Sequence, residues 1–120
     1  MAVTSIVLTD LGEAWSVERW QGLSTAPAYI GVGTGSTAAA KGDTTLGTEV
    51  ESRVATSNSE AAADKLLMAA TVVFTATRAM REAGVFLLVS GGTMLIRAVY
   101  DVINVGSGDA ITYNFRLEQT

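Results

Sequence analysis

The sequence predicts a mainly β domain, an antiparallel β-sandwich or small barrel with one N-terminal helix. Three observations carry this. Residues 80–100 hold two apolar, β-rich runs on either side of Ser90-Gly91-Gly92, and paired glycines supply the positive φ of a tight hairpin turn. Residues 110–118 alternate Ile111, Tyr113, Phe115 and Leu117 with Thr112, Asn114, Arg116 and Glu118, the pattern of a half-buried antiparallel strand. Residues 65–76 repeat the period of two with Leu66, Met68, Ala70, Val72 and Phe74 on one face.

Taken in order, residues 3–8 form a short β-prone lead. Asp10 has the character of an N-cap with Glu13 at capping-box spacing, and Gly22 suits the C′ position, so a helix is expected over 11–21. Leu11 and Trp15 share one of its faces, Val17 and Trp20 another. A connector with the only proline, Pro27, leads to a strand at 29–33 and a small-residue loop at 34–43. Residues 44–50 suit a helical turn or a compact bend, and 53–56 a strand. Residues 57–64 are small and polar, the composition of a surface loop or an Ala-rich helical turn.

The strand at 65–76 is apolar on both faces, which suits the inside of a sandwich or a subunit contact. After a turn at 77–78, the first hairpin arm is interrupted by Gly84, a sign of a bulge or a close backbone approach. Arm 85–89 should pair with 93–100. Residues 101–104 extend the second arm or leave the sheet, and 105–109 turn into the last strand. The 120 residues read as one domain, with an arm and helix at 1–24 and a β core at 29–118.

Composition excludes several function classes. There is no Cys, hence no disulfide and no thiolate metal site. There is no His, which removes the commonest general base, the commonest zinc ligand and the Ser-His triad. A net charge of −4 with scattered Lys and Arg argues against a nucleic-acid partner. The first residues lack the pattern of a signal peptide, and no run approaches the ~20 apolar residues of a membrane span. A soluble protein made in a cytoplasm is expected.

The remaining motifs are weak as chemistry. Gly31-Val32-Gly33-Thr34-Gly35-Ser36 imitates a phosphate loop, but Ser36 replaces the third glycine of the dinucleotide fingerprint. Lys41-Gly42 reverses the Gly-Lys of a P-loop, so no cofactor is expected. Glu49, Glu51 and Arg53 would share one face of a regular strand and are read as a solvated face rather than an acid–base pair. Arg81 and Glu82 point to opposite faces of their strand. One of them should point inward or into an interface, where it needs a charged partner, here expected from a neighbouring subunit. Trp15 and Trp20 are read as core or subunit packing. Together with Tyr29 and Tyr100 they are also the obvious aromatics for a sugar-binding site.

Two stretches carry a family resemblance. Residues 29–35, followed by Thr44-Thr45-Leu46-Gly47-Thr48-Glu49-Val50, are the first. Arg81-Glu82-Ala83-Gly84-Val85-Phe86, followed by Gly91-Gly92-Thr93-Met94-Leu95-Ile96-Arg97-Ala98-Val99, are the second. In order and spacing they resemble a group of small tailed-bacteriophage virion proteins, and the N-terminal domains of tail-collar fibre proteins show a related arrangement after an opening helix. Met80 and Ile96 depart from the Ile and Ala that group usually carries. The resemblance covers residues 8–120 and implies a non-enzymatic structural protein of the virion with no cofactor or metal. A short β domain without shaft or heptads implies a homotrimeric capsid decoration, or cement, protein docked on the major capsid protein. The alternative is a tail, collar, baseplate or fibre attachment protein. Trp15, Trp20, Arg81 and Glu82 are the expected subunit or capsid interface.

Overall fold

A computed structural model describes residues 3–22, 27–62 and 65–118 of the chain. Among these, eight strands and one helix follow in the order β1 (Val3–Leu8), α1 (Asp10–Trp20), β2 (Tyr29–Gly33), β3 (Glu49–Ala55), β4 (Ser57–Ala62), β5 (Lys65–Val73), β6 (Arg78–Phe86), β7 (Met94–Val105) and β8 (Ala110–Glu118). A five-stranded sheet in the order β1-β7-β6-β2-β3 packs on a three-stranded sheet in the order β4-β5-β8, and every pair is antiparallel. The expected β-sandwich with one N-terminal helix is the architecture found.

The core lies between the sheets. Ile30, Val32, Val85 and Ala98 from the larger sheet meet Met68, Val72 and Phe115 from the smaller. The inner face of β5 is the one its period predicts, whereas its outer face is open, with Val73 58% exposed. Tyr100 and Tyr113 join the two sheets through hydroxyls 2.5 Å apart. Burial raises both phenols above their ordinary pKa, so both stay protonated donors.

Several boundaries differ from the sequence reading (β3 begins at Glu49 and β5 ends at Val73), and four of the differences have a direct physical reason. The helix is capped by Thr9, one residue earlier than expected. The buried Thr9 hydroxyl accepts from the Gly12 amide (3.0 Å) and donates to the Met94 carbonyl (2.7 Å), so β7 fixes where the helix starts. Glu13 pairs with Lys41 instead of closing a capping box. Residues 57–62 form a strand because β5 offers a free edge, and tertiary pairing overrides their polar composition. The N-terminal lead is no separate arm: β1 is the edge strand of the larger sheet, beside β7.

The fourth difference is the hairpin turn. Gly91 and Gly92 have the expected positive φ, but the last pair is Phe86 with Met94, leaving a seven-residue loop at 87–93. Arg53 holds that loop open. Its guanidinium stacks over the Phe86 ring at 3.5 Å, and Nη1 donates to the carbonyls of Leu88 (2.9 Å) and Gly91 (2.7 Å).

β3 is not the regular strand that would align Glu49, Glu51 and Arg53. Ile30 pairs with Val54 and Val32 with Val50, so residues 51–53 face Gly31 alone. Glu51 takes φ 61°, a left-handed conformation that costs a non-glycine residue about 1–3 kcal/mol. The bulge turns Glu51 away from Glu49. Glu49 pairs with Arg53, while Glu51 accepts from Arg78 Nε (2.8 Å) and from the amide (3.1 Å) and hydroxyl of Thr75. Arg78, then the Thr75 amide, hold the Glu51 carboxyl below its ordinary 4.5. A lowered folded pKa adds stability that is complete above 4.5 and is lost as the pH falls through the folded value. Glu51→Gln should therefore be less stable than the parent in urea at neutral pH, with the gap closing on acidification. A gap unchanged down to about pH 2 would contradict this assignment.

Candidate functional site

On β6, Ala83 and Val85 point into the inter-sheet core, so Glu82 projects from the other face of the larger sheet. The segment between β2 and β3, residues 34–48, folds over that face. Glu82 is completely buried and Arg97, from β7, is 2% exposed. The register sets Gly84 against Arg97 and Glu82 against Val99, so the two charges sit diagonally across the β6–β7 ladder.

The Glu82 carboxylate accepts five hydrogen bonds. Oε1 takes the Gly47 amide (2.7 Å) and Arg97 Nε (3.2 Å) and Nη2 (3.0 Å). Oε2 takes the amides of Gly35 (2.9 Å) and Thr48 (2.7 Å). Arg97 Nη1 in turn donates to Asp43 Oδ2 (2.9 Å) and to the Ala38 carbonyl (3.3 Å). The ion pair thus fastens the 34–48 segment at five residues along its length.

The glycines that imitate a phosphate loop are explained by this carboxylate. Gly33 pairs with Glu82 across β2 and β6. A Cβ on Gly33 would collide with Glu82 Oε2 and the Thr48 carbonyl, and one on Gly35 would stand 2.6 Å from the same oxygen. Backbone amides arranged around an anion are what a phosphate loop offers. Here the anion is the chain's own Glu82.

Both carboxylate oxygens are occupied by donors of the chain itself, and the Arg97 guanidinium lies against them. An open depression of about 360 Å³ lies beside the cluster, lined by Thr37, Asp43, Thr45 and Arg97 among others. Its cation is already engaged: Nε, Nη1 and Nη2 of Arg97 all donate within the chain. Among the described residues, no group of three His, Cys, Asp or Glu is placed to hold a metal ion, and no helix is long and apolar enough to cross a membrane.

The residues expected at an interface are distributed differently. Glu82 does point inward, but its charged partner is Arg97 of the same chain rather than a neighbouring subunit. Arg81 is half-buried where β7 bulges, opposite residues 100–102. Trp15 is 7% exposed and packs into the inter-sheet core. The Trp20 side chain lies outside the described residues. With Trp15 and Tyr100 both interior and Tyr29 half-buried, these three do not make an exposed aromatic platform.

Arg97 and Asp43 were not singled out from the sequence. A signal was present for Arg97: it is the only charge in the run 94–100, and Glu82 stands in the facing arm of the same hairpin. Asp43 gave none, since only the fold brings residue 43 to residue 97. Comparison with protein-family models, with curated proteins and with solved structures returned no match.

Removing one member of a buried pair strands the other. Glu82→Gln and Arg97→Met should each cost about 3–5 kcal/mol in urea unfolding, and the double variant clearly less than their sum. Single losses below about 1 kcal/mol that simply add would show the pair to be energetically idle.

Proposed function

We propose that this chain is a structural protein of a tailed-bacteriophage virion, a homotrimeric capsid decoration protein that seals contacts between major capsid subunits. The observation that supports this reading is where the resembling stretches lie. Residues 29–35 and 44–50, and the hairpin arms 81–86 and 91–99, surround one buried ion pair. The motifs shared in order and spacing with virion proteins are thus parts of a single scaffold, as expected if what they preserve is a shape. A seam-filling protein needs a rigid body, and a two-layer β-sandwich with a cross-braced long loop supplies one.

The opening helix favours a second reading, a tail, collar or baseplate attachment protein, because the collar-fibre domains it resembles also begin with one. Copy number separates the two. Quantitative mass spectrometry of purified particles should give a ratio to the major capsid protein within a few-fold of one. A few dozen copies or fewer would move the protein to the neck or tail. Absence from the particle would overturn both readings.

A further inference from the structure

Four strands stand at sheet edges: β1 and β3 in the larger sheet, β4 and β8 in the smaller. Three of them carry a bulge in the edge strand itself. Residue 4 is extra in β1, residues 51–53 face a single partner residue in β3, and residue 61 is extra in β4. A bulge twists an edge and breaks its row of backbone donors and acceptors, which discourages other chains from pairing there.

β8 has no such protection. Its nine residues pair with β5 from Ala110–Val73 to Glu118–Lys65 without a register shift. Among the described residues no strand takes its second edge. The strand contains no proline and no lysine, the residues most used to blunt an edge.

We propose that β8 is a docking edge for a second copy of this chain, the two strands pairing antiparallel about a two-fold axis at Asn114. The strand is complementary to itself about that residue. On the inward face Ile111 would oppose Leu117 of the second copy, and Tyr113 would oppose Phe115. Ile111 and Leu117 are only half-buried in the single chain, so the ends of the ladder retain apolar surface to cover. On the outer face Thr112 would oppose Arg116, and Asn114 its own copy, so no like charges meet. Only this register uses all nine residues. A one-residue slip would set inward faces against outward ones, and a two-residue shift, centred on residue 113 or 115, would leave two residues of each strand unpaired. The joined sheet would have six strands, β4-β5-β8 continued by the same three in reverse. This contact is separate from the three-fold assembly proposed above and does not rest on it.

The absence of cysteine from the sequence gives a direct test on the full chain. Asn114 is exposed, so Asn114→Cys is compatible with folding. Directly opposed residues of an antiparallel pair lie about 4.5–5.5 Å apart at Cα, within disulfide reach. Thr112→Cys would be about 14 Å from its copy. Mild oxidation should convert Asn114→Cys to a covalent pair of two 12.5 kDa chains while leaving Thr112→Cys monomeric on a denaturing gel. Asn114→Lys, which sets two ammonium groups face to face, should weaken pairing of the otherwise unchanged chain by roughly 2- to 5-fold in sedimentation. Equal cross-linking of both cysteine variants, cross-linking of neither, or an association that Asn114→Lys leaves untouched would overturn the proposal. Trimer mass without the Asn114→Cys cross-link would end this inference alone and leave the three-fold reading standing.

Discussion

The Glu82 carboxyl group is completely buried, and the chain closes over it from three directions. Burying an uncompensated carboxylate costs several kcal/mol, so the surrounding structure has little freedom. β7 must place Arg97 diagonally across the ladder. The long connection between β2 and β3 must deliver the amides of Gly35, Gly47 and Thr48, and it can do so only with glycine at 33 and 35. Asp43 then neutralises the outer end of Arg97. Each of these requirements lies far apart in sequence, and one side chain joins them.

This arrangement accounts for the most misleading motif in the chain. Closely spaced glycines after a strand suggest a site for a phosphate, and the backbone does present amides to an anion. The anion is supplied internally, so the loop is a clasp rather than a ligand site. The same use of charge recurs at a smaller scale, where Glu51 ties the β3 bulge to Thr75 and Arg78, and Arg53 holds the 87–93 loop by its carbonyls. Ionic groups here set the conformation of irregular segments, while the apolar core between the sheets sets the regular ones.

That division explains what could be read from the sequence. Strands with one buried face, β5 and β8 above all, were legible because burial writes a period of two into the residues. The positive φ of Gly91 and Gly92 was legible for an equally local reason. β4 was not, because Ser57, Asn58, Ser59 and Glu60 become a strand only through an edge offered by β5. Nor was the length of the hairpin loop, which depends on a guanidinium arriving from β3. At the candidate site, Glu82 announced itself as a charge in an apolar strand, but its partner and its three amide donors depend on tertiary structure. The bulges on β1, β3 and β4 left no pattern at all, and with them the contrast that marks β8 as the open edge stayed hidden.

The Glu82 carboxylate holds the amides of an irregular loop as firmly as the sheet holds its own. Amide hydrogen exchange followed by NMR tests it directly, because residues 34–48 are otherwise a strand connection of the kind that exchanges quickly. Gly35, Gly47 and Thr48 should exchange as slowly as the central residues of β6 and β7, while Gly42 exchanges fast. Rapid exchange of all four would mean that the clasp is open in solution, and the buried ion pair could not then be what the fold is arranged around.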